Sequence, residues 1–303
     1  MVSKITLVGK PGVGKTTIKK VIFEGENPNK LILFPLEATI GTKFSIHDFI
    51  DAKISLVDTP GQSLPILLED EEKQIQIFEN SNAIIYIFDY TIWINQSREI
   101  IDEIKKIYSI IKNKNYNTKI FLFLHKIDLI SQKIRGKIKL LKEQVINLLN
   151  LPIELTLYFT SLHPDMIYSI YNAFSEIISN FSESALNLKD LTNHIIANLS
   201  RTICFITDKN SNIIIQANTQ DFDNNLVPNL HKKVYNLSKT SGEGNFSLID
   251  SRSKVLYMMR ENISYLSPHF QSVLFLSETL GKNDLMDLID KFKVELKNNY
   301  NIN

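Results

Sequence analysis

A single cysteine, Cys204, among 303 residues rules out any disulfide within the chain. It lies in the apolar stretch from Thr202 to Ile206, so the thiol is expected in a core and the compartment to be a reducing, cytoplasmic one. Charge of one sign is also lacking. Against 34 Lys and Arg stand 33 Asp and Glu, a net charge of +1, which gives no reason to expect nucleic acid as a partner. Long hydrophobic runs are missing as well. The chain is 44% apolar, yet no run approaches the roughly 18 residues of a membrane helix. Val2 is no myristoylation acceptor, no CaaX cysteine ends the sequence, and residues 4–8 read as a core strand rather than a signal peptide. No direct membrane anchor is therefore expected; any membrane location would come through partners. His194, His231 and His269 are scattered and suggest no metal site. The length suits about two domains.

What is there begins with Gly9-Lys10-Pro11-Gly12-Val13-Gly14-Lys15-Thr16, which fits G-x-x-x-x-G-K-[ST]. Lys4 to Val8 before it reads as a strand. Thr17 to Phe23 after it reads as a helix, with Ile18, Val21 and Ile22 at helical spacing. Glycines let such a loop wrap a phosphate chain with its N–H groups inward, beside a positive helix N-terminus. In that arrangement Lys15 reaches the β- and γ-phosphates and the Thr16 hydroxyl ligates Mg²⁺.

Further motifs follow in order, each placed after a strand. Asp58-Thr59-Pro60-Gly61-Gln62 gives D-x-x-G. In this reading Asp58 holds Mg²⁺, the Gly61 N–H meets the γ-phosphate and Gln62 orients the attacking water. His125-Lys126-Ile127-Asp128 stands where N-K-x-D usually reads guanine. The Asp128 carboxylate suits guanine N1–H and N2–H₂, a donor pair that adenine lacks. The Lys126 stem can lie along the base. Thr160-Ser161-Leu162 follows the last strand, where a backbone N–H can meet the guanine carbonyl. Between the first two motifs, Thr39 is the candidate switch threonine, completing Mg²⁺ coordination with GTP bound; Thr42 is its rival.

The first half alternates strands and helices. Strands are expected over 44–49, 53–57, 83–88, 120–124 and 155–159, and helices over 97–112, 132–149 and 165–178. Residues 28–35 read as a loop, as does the segment holding Trp93, whose side chain is expected in the core. Such alternation predicts a mostly parallel sheet with ligands at the strands' carboxyl ends. Glu69 to Glu72 read as opening a helix, and Lys133, Arg135, Lys137, Lys139 and Lys142 as a solvated helix face. The polar stretch 180–184 marks a boundary, giving domains 1–183 and 184–303. In the second, a helix from Leu188 to Leu199, strands over 201–207 and 212–217, a helix around Leu230 to Leu237, and three strands precede a closing helix capped by Asn283 or Asp284. That order describes an antiparallel sheet with helices, a smaller α+β domain.

The runs GKPGVGKTTIKKVIF, EATIG, DTPGQ, IFENSNAIIYIFD, HKID and FTSLHPD together resemble the Rag/Gtr family of Ras-related GTPases. A histidine opening the guanine motif is a habit of that family. The resemblance covers residues 1 to about 180 and implies an α/β P-loop GTPase domain, Mg²⁺ with GTP or GDP, slow hydrolysis and signalling as a dimer. Nucleotide contacts are then implied for Gly9 to Thr17, Thr39, Asp58, Gly61, His125, Lys126, Asp128, Ser161 and Leu162. Mg²⁺ falls to Thr16, Thr39 and Asp58, and hydrolysis to Gln62, Lys15 and Thr39. By element order the second domain resembles the roadblock/longin-type platform of the same family, which holds a homo- or heterodimer with a Rag-like chain together. Roadblock/longin-type and regulatory proteins would be its other partners. Pro60 stands where the family has a small residue, and Pro11 lies where a side chain faces the γ-phosphate. These departures keep a hydrolysis-poor, nucleotide-bound scaffold open. An Arf- or Ras-like trafficking GTPase with a fused longin-like module is the other alternative.

Overall fold

In the computed structural model, residues 2–33, 36–49, 52–131, 136–163, 166–209, 213–222, 245–251, 254–265 and 270–300 are described. They divide into two compact units, one of Met1–Asp48 with Ala52–His163, the other of Phe49–Asp51 with Pro164–Asn303. Packing thus separates the chain after His163, where the polar stretch had suggested residue 183. The reason is local: helix Tyr168–Ser179 lies against strand Ile213–Asn218, and the Ser175 hydroxyl accepts from the Gln216 N–H at 3.3 Å.

In the first unit the apolar runs become β1 (Val2–Val8), β2 (Lys43–Phe49), β3 (Ala52–Asp58), β4 (Ser81–Asp89), β5 (Lys119–His125) and β6 (Thr156–Phe159). Their order across the sheet is β2-β3-β1-β4-β5-β6. From β3 to β6 every pairing is parallel. Parallel strands need crossovers, and burial on both faces explains why β4 and β5 are almost wholly apolar. The crossover helices are α1 (Lys15–Phe23), α5 (Tyr90–Asn113) and α6 (Ile138–Leu149); short α2 (Pro28–Leu33), α3 (Leu64–Glu69) and α4 (Glu71–Phe78) lie in the longer connections. Ile5, Leu7, Ile84, Ile100, Ile104 and Leu122 are buried in this core.

Two segments read as loops are helical. Asn27 precedes α2 and its side chain accepts from the Asn29 N–H at 2.9 Å, with Pro28 at the first helical position. Trp93 lies inside α5, buried as expected, its ring 5.6 Å from that of Phe88. α5 is broken at Gln96 (φ −138°, ψ 31°), and the apolar repeat that signals a helix begins only past that break. Asp89 caps the start, accepting from the Ile92 N–H at 2.9 Å. Within the acidic cluster, Glu69 ends α3, Asp70 caps α4 through the Lys73 N–H, and Glu71 and Glu72 fill its first turn. α6 starts at Ile138, later than expected, and Lys137, Lys139 and Lys142 are exposed; residues 132–135 lie outside the described residues.

The second unit contains α7 (Tyr168–Ser179), α8 (Glu183–Ile196), β7 (Thr202–Thr207), β8 (Ile213–Asn218), β9 (Asn245–Ser251), β10 (Lys254–Asn262), β11 (Ser272–Ser277) and α9 (Lys282–Tyr300). The sheet order is β8-β7-β11-β10-β9, antiparallel throughout. Leu188, Ile195, Cys204, Phe275, Phe292 and Leu296 belong to one buried cluster between the sheet and helices α8 and α9. The cap of α9 is neither of the two residues proposed from sequence. Gly281 holds the cap position and Asp284 reaches back to its N–H at 2.9 Å. The helix expected around Leu230 to Leu237 lies outside the described residues. Among those described, no helix is long and apolar enough to cross a membrane.

Trp93 is the only tryptophan, so its emission reports unfolding of the first unit. Ile104→Ala, at a side chain with no exposure, is expected to lower stability by about 2–5 kcal/mol. Denaturant titration followed at Trp93 checks this, and an unchanged midpoint would remove Ile104 from the core.

Candidate functional site

The carboxyl ends of β1, β3, β5 and β6 bring the sequence motifs to one edge of the first unit. Residues 9–14 link β1 to α1, and three glycines carry the loop. Gly9 (φ +142°) passes so close to β4 that a Cβ would lie 2.1 Å from the Ile87 carbonyl oxygen. Gly12 (φ +75°) and Gly14 (φ +99°) hold left-handed backbone that side chains rarely adopt. Val13 is buried and Pro11 exposed. The Lys15 ammonium is buried under the loop, donating to the Gly9 carbonyl at 2.7 Å and the Lys10 carbonyl at 2.9 Å. Burial pushes its pKa down to about 8, against the opposing pull of Asp58. A cavity of about 410 Å³ opens beside it, lined among others by Gly12, Thr16, Thr17, Thr39 and Gln62.

At the floor of this cavity Thr16 is the first-turn hydroxyl of α1. Its Oγ1 donates to Asp58 Oδ2 at 2.7 Å and stands 2.6 Å from Thr39 Oγ1. Thr42 instead lines a separate cavity of about 210 Å³ with Pro60, Ile66 and Lys73. Asp58 is buried at the end of β3, and its Oδ1 has no hydrogen-bond partner among the described residues. Burial raises its pKa, while the bond from Thr16 and the charge of Lys15 oppose that. A buried carboxylate oxygen without a donor, next to two hydroxyls, fits a small hard cation that takes oxygen ligands. Gly61 follows in a short 3₁₀ turn, Gly61–Ser63. Its backbone presses on the phosphate loop, since a Cβ there would lie 2.3 Å from the Pro11 nitrogen and 2.5 Å from the Lys10 carbonyl carbon. Gln62 next to it is exposed and faces the cavity.

His125, Lys126 and Asp128 leave the end of β5. His125 is buried, with Nδ1 2.9 Å from Thr160 Oγ1, and its ring would meet a Cβ on Gly14 at 3.1 Å. Desolvation, then the charge of Lys126, lowers its pKa to about 4, so the ring is neutral at physiological pH. Lys126 adopts a left-handed backbone (φ +58°), and its ammonium reaches the Gly12 carbonyl at 2.6 Å and Asp89 at 3.2 Å. Its head therefore ties the β5 loop to the phosphate loop. Asp128 accepts from the Ser161 hydroxyl, and Ser161 Oγ in turn accepts from the His163 N–H at 2.9 Å. Leu162 is buried beside them.

The sequence reading did not assign Asp89 or Glu103 to the site, and named Thr160 only as the residue opening Thr160-Ser161-Leu162. Asp89 ends a strand just before a helix, a cap signal that was legible. Glu103 is near only in the fold, and only the fold pairs the Thr160 hydroxyl with His125. Glu103 receives the Tyr86 hydroxyl and pairs with Lys10 at 3.6 Å. Lys10 also pairs with Glu99, so its side chain turns toward α5 and only its backbone belongs to the loop. Among the described residues no group of three His, Cys, Asp or Glu could hold a metal ion, so a cation at Asp58 would rest largely on hydroxyls.

Residues 4–238 match the family model for the Gtr1/RagA G protein conserved region. Ras-related GTP-binding protein A of Dictyostelium discoideum is 27% identical over 245 residues, 80% of this chain and 75% of that protein. Ras-related GTP-binding protein C of Homo sapiens is 26% identical over 227 residues, 73% of this chain and 54% of that protein. For GTP-binding protein GTR2 of Saccharomyces cerevisiae the identity is 24% over 227 residues, 72% of this chain and 62% of the relative. The chain thus spans roughly half to three quarters of the curated relatives it matches. A match that runs from the phosphate loop through the guanine motif and on into the second unit shows that the chain belongs to the Gtr1/RagA G protein family and is a Rag/Gtr-like small GTPase, a GTP-binding switch.

Proposed function

We propose that the chain binds GTP and GDP with Mg²⁺ at the edge of the first unit, hydrolyses GTP slowly, and uses the second unit as a roadblock/longin-like platform for pairing with a second Rag-like chain. The observation that carries the site reading is the Thr16 hydroxyl, within 2.7 Å of both Asp58 and Thr39, beside the unpaired Asp58 Oδ1. Those three residues would hold Mg²⁺, which would supply positive charge to neutralise the phosphate oxygens. Lys15 keeps the Gly9 and Lys10 carbonyls with two of its three N–H donors and turns the third to a phosphate oxygen. The loop N–H groups meet the phosphates from the other side. Thr39 and Gly61 sense the γ-phosphate and order the segments that carry them, and hydrolysis releases both. Gln62 orients the attacking water, a positioning role that asks for no strong base.

Specificity rests on Asp128. The Ser161 hydroxyl holds its carboxylate, leaving it oriented for a pair of donors on the base. The neutral His125 ring, fixed between Thr160 and Gly14, packs the guanine loop against the phosphate loop. The pairing proposal is supported by the sheet order of the second unit, in which β9 is an edge strand among the described residues. Its partner is a like chain or an unlike Rag-like one, and the nucleotide state selects what else the pair recruits, regulatory and roadblock/longin-type proteins included. A location in the cytoplasm, at a membrane surface only through such partners, goes with this reading.

Three measurements test it. GTP and GDP should displace a labelled guanine nucleotide while ATP does not, and Asp128→Asn should shift preference toward xanthine nucleotides; equal competition by ATP would sink the base reading. Nucleotide affinity should fall as pH rises past the Lys15 pKa of about 8. The sign follows because bound phosphate favours the ammonium, so above that pH binding must take up a proton. The expected loss is about eightfold between pH 7.5 and 9, and a flat profile would separate Lys15 from the phosphates. Light scattering on the full chain, alone and with a co-purified partner, should give a dimer in both nucleotide states. A monomer under every condition would remove the platform.

A further inference from the structure

One ion pair beside the nucleotide site has no place in the scheme above. The Lys10 side chain is 15% exposed although it springs from a loop at the surface. Its ammonium meets Glu99 and Glu103, which project from α5 one turn apart. Glu99 is largely exposed, whereas Glu103 is as covered as Lys10. Both oxygens of Glu103 are engaged: Oε1 faces Lys10 and Oε2 accepts the Tyr86 hydroxyl from the fully buried centre of β4. Burial and the neighbouring Glu103 charge raise the Tyr86 pKa far beyond the usual range, so the phenol stays protonated and donates. A charge-assisted chain therefore runs from the middle of the sheet to the phosphate loop.

What this chain holds in place is the Lys10–Pro11 peptide. On one side the Lys10 carbonyl accepts from the Lys15 ammonium at 2.9 Å. On the other, Gly61 packs on it with no room for a Cβ. Proline fixes φ at the next position, so the peptide has little freedom except through Lys10 itself. Lys15 and Gly61 are the two groups that must close on a γ-phosphate, and this one peptide spaces them. We propose that Lys10 is a positioning residue for GTP: its side chain, held by Glu103 and through it by Tyr86, sets the gap between Lys15 and Gly61 in which the γ-phosphate is recognised. The proposal rests on the nucleotide reading above.

The test is dissociation of labelled GDP and of a labelled non-hydrolysable GTP analogue from the full-length protein. Lys10→Met should speed release of the GTP analogue roughly tenfold, the scale on which contacting residues couple, and release of GDP much less. Lys10→Arg, which keeps the charge, should restore the ratio. Glu103→Gln should reproduce the loss in milder form, and combining it with Lys10→Met should add nothing further. Trp93 emission monitors folding; if Lys10→Met does not fold, Glu103→Gln and Tyr86→Phe give the same readout. An unchanged ratio of the two rates in these variants, or full additivity of Lys10→Met with Glu103→Gln, would overturn the role of Lys10. A wild-type protein that holds no guanine nucleotide would instead remove the site reading itself.

Discussion

Backbone crowding at the phosphate loop is the constraint on which the rest of the nucleotide edge depends. At Gly9, Gly14 and Gly61 the main chain comes so close to a neighbour that a methyl group would have to displace it. Each contact joins a different part of the unit. Gly9 seats the loop on β4, Gly14 brings it to the His125 ring, and Gly61 closes the β3 loop over Lys10 and Pro11. At Gly9 and Gly61 backbone lies against backbone with little slack, so a small change at the phosphates must move one of these contacts rather than be absorbed by a side chain. That is the physical basis of a switch: packed interfaces respond in steps, not by bending.

Electrostatics work within that frame. Three cationic side chains converge near the loop, and each is directed by a different acceptor: Lys15 to loop carbonyls, Lys126 to Gly12 and Asp89, Lys10 to Glu99 and Glu103. Burial lowers the Lys15 pKa to about 8, against the opposing pull of Asp58. Asp58 shows the reverse, with burial raising its pKa and one oxygen left without a donor. Lys15 and Asp58 are strained in opposite senses by the same dry environment, and an anion and a cation arriving together would relieve both. The side chains that merely shape the loop have their partners within the fold.

Much of this was legible in the sequence because the chemistry is local. The phosphate loop, D-x-x-G and HKID each need fixed spacing and a strand end, and the buried strands that supply those ends are unbroken apolar runs. Where the reading failed, the signal was weak or distant. α2 carries an Asn-Pro start but is too short for an apolar period. The first turns of α5, with Trp93, lack the repeat that begins after Gln96. The division after His163 depends on α7 choosing β8 of the second unit as its neighbour, a choice that composition does not record. Thr39 and Thr42 look alike in sequence, and only the fold places one beside Thr16 and the other in a separate cavity. The turn of Lys10 toward α5 depends on carboxylates some 90 positions away.

The sheet order of the second unit bears on how the protein is made. β7 pairs with β11, with Thr202 opposite Ser277 and Thr207 opposite Ser272, so the middle of that sheet joins segments far apart in the chain. The first unit's strands, by contrast, are all complete by Phe159. On a ribosome the nucleotide-binding unit has all its strands in hand while β7 and β8 still wait for their central neighbour, and sheets built from such distant pairs close slowly. Until β11 emerges, the β7 edge stands open, with Ile203, Phe205 and their neighbours uncovered. The nascent chain therefore passes through an interval in which its switch is assembled and its sticky half is not, and that interval is where a chaperone or a partner chain would first find it.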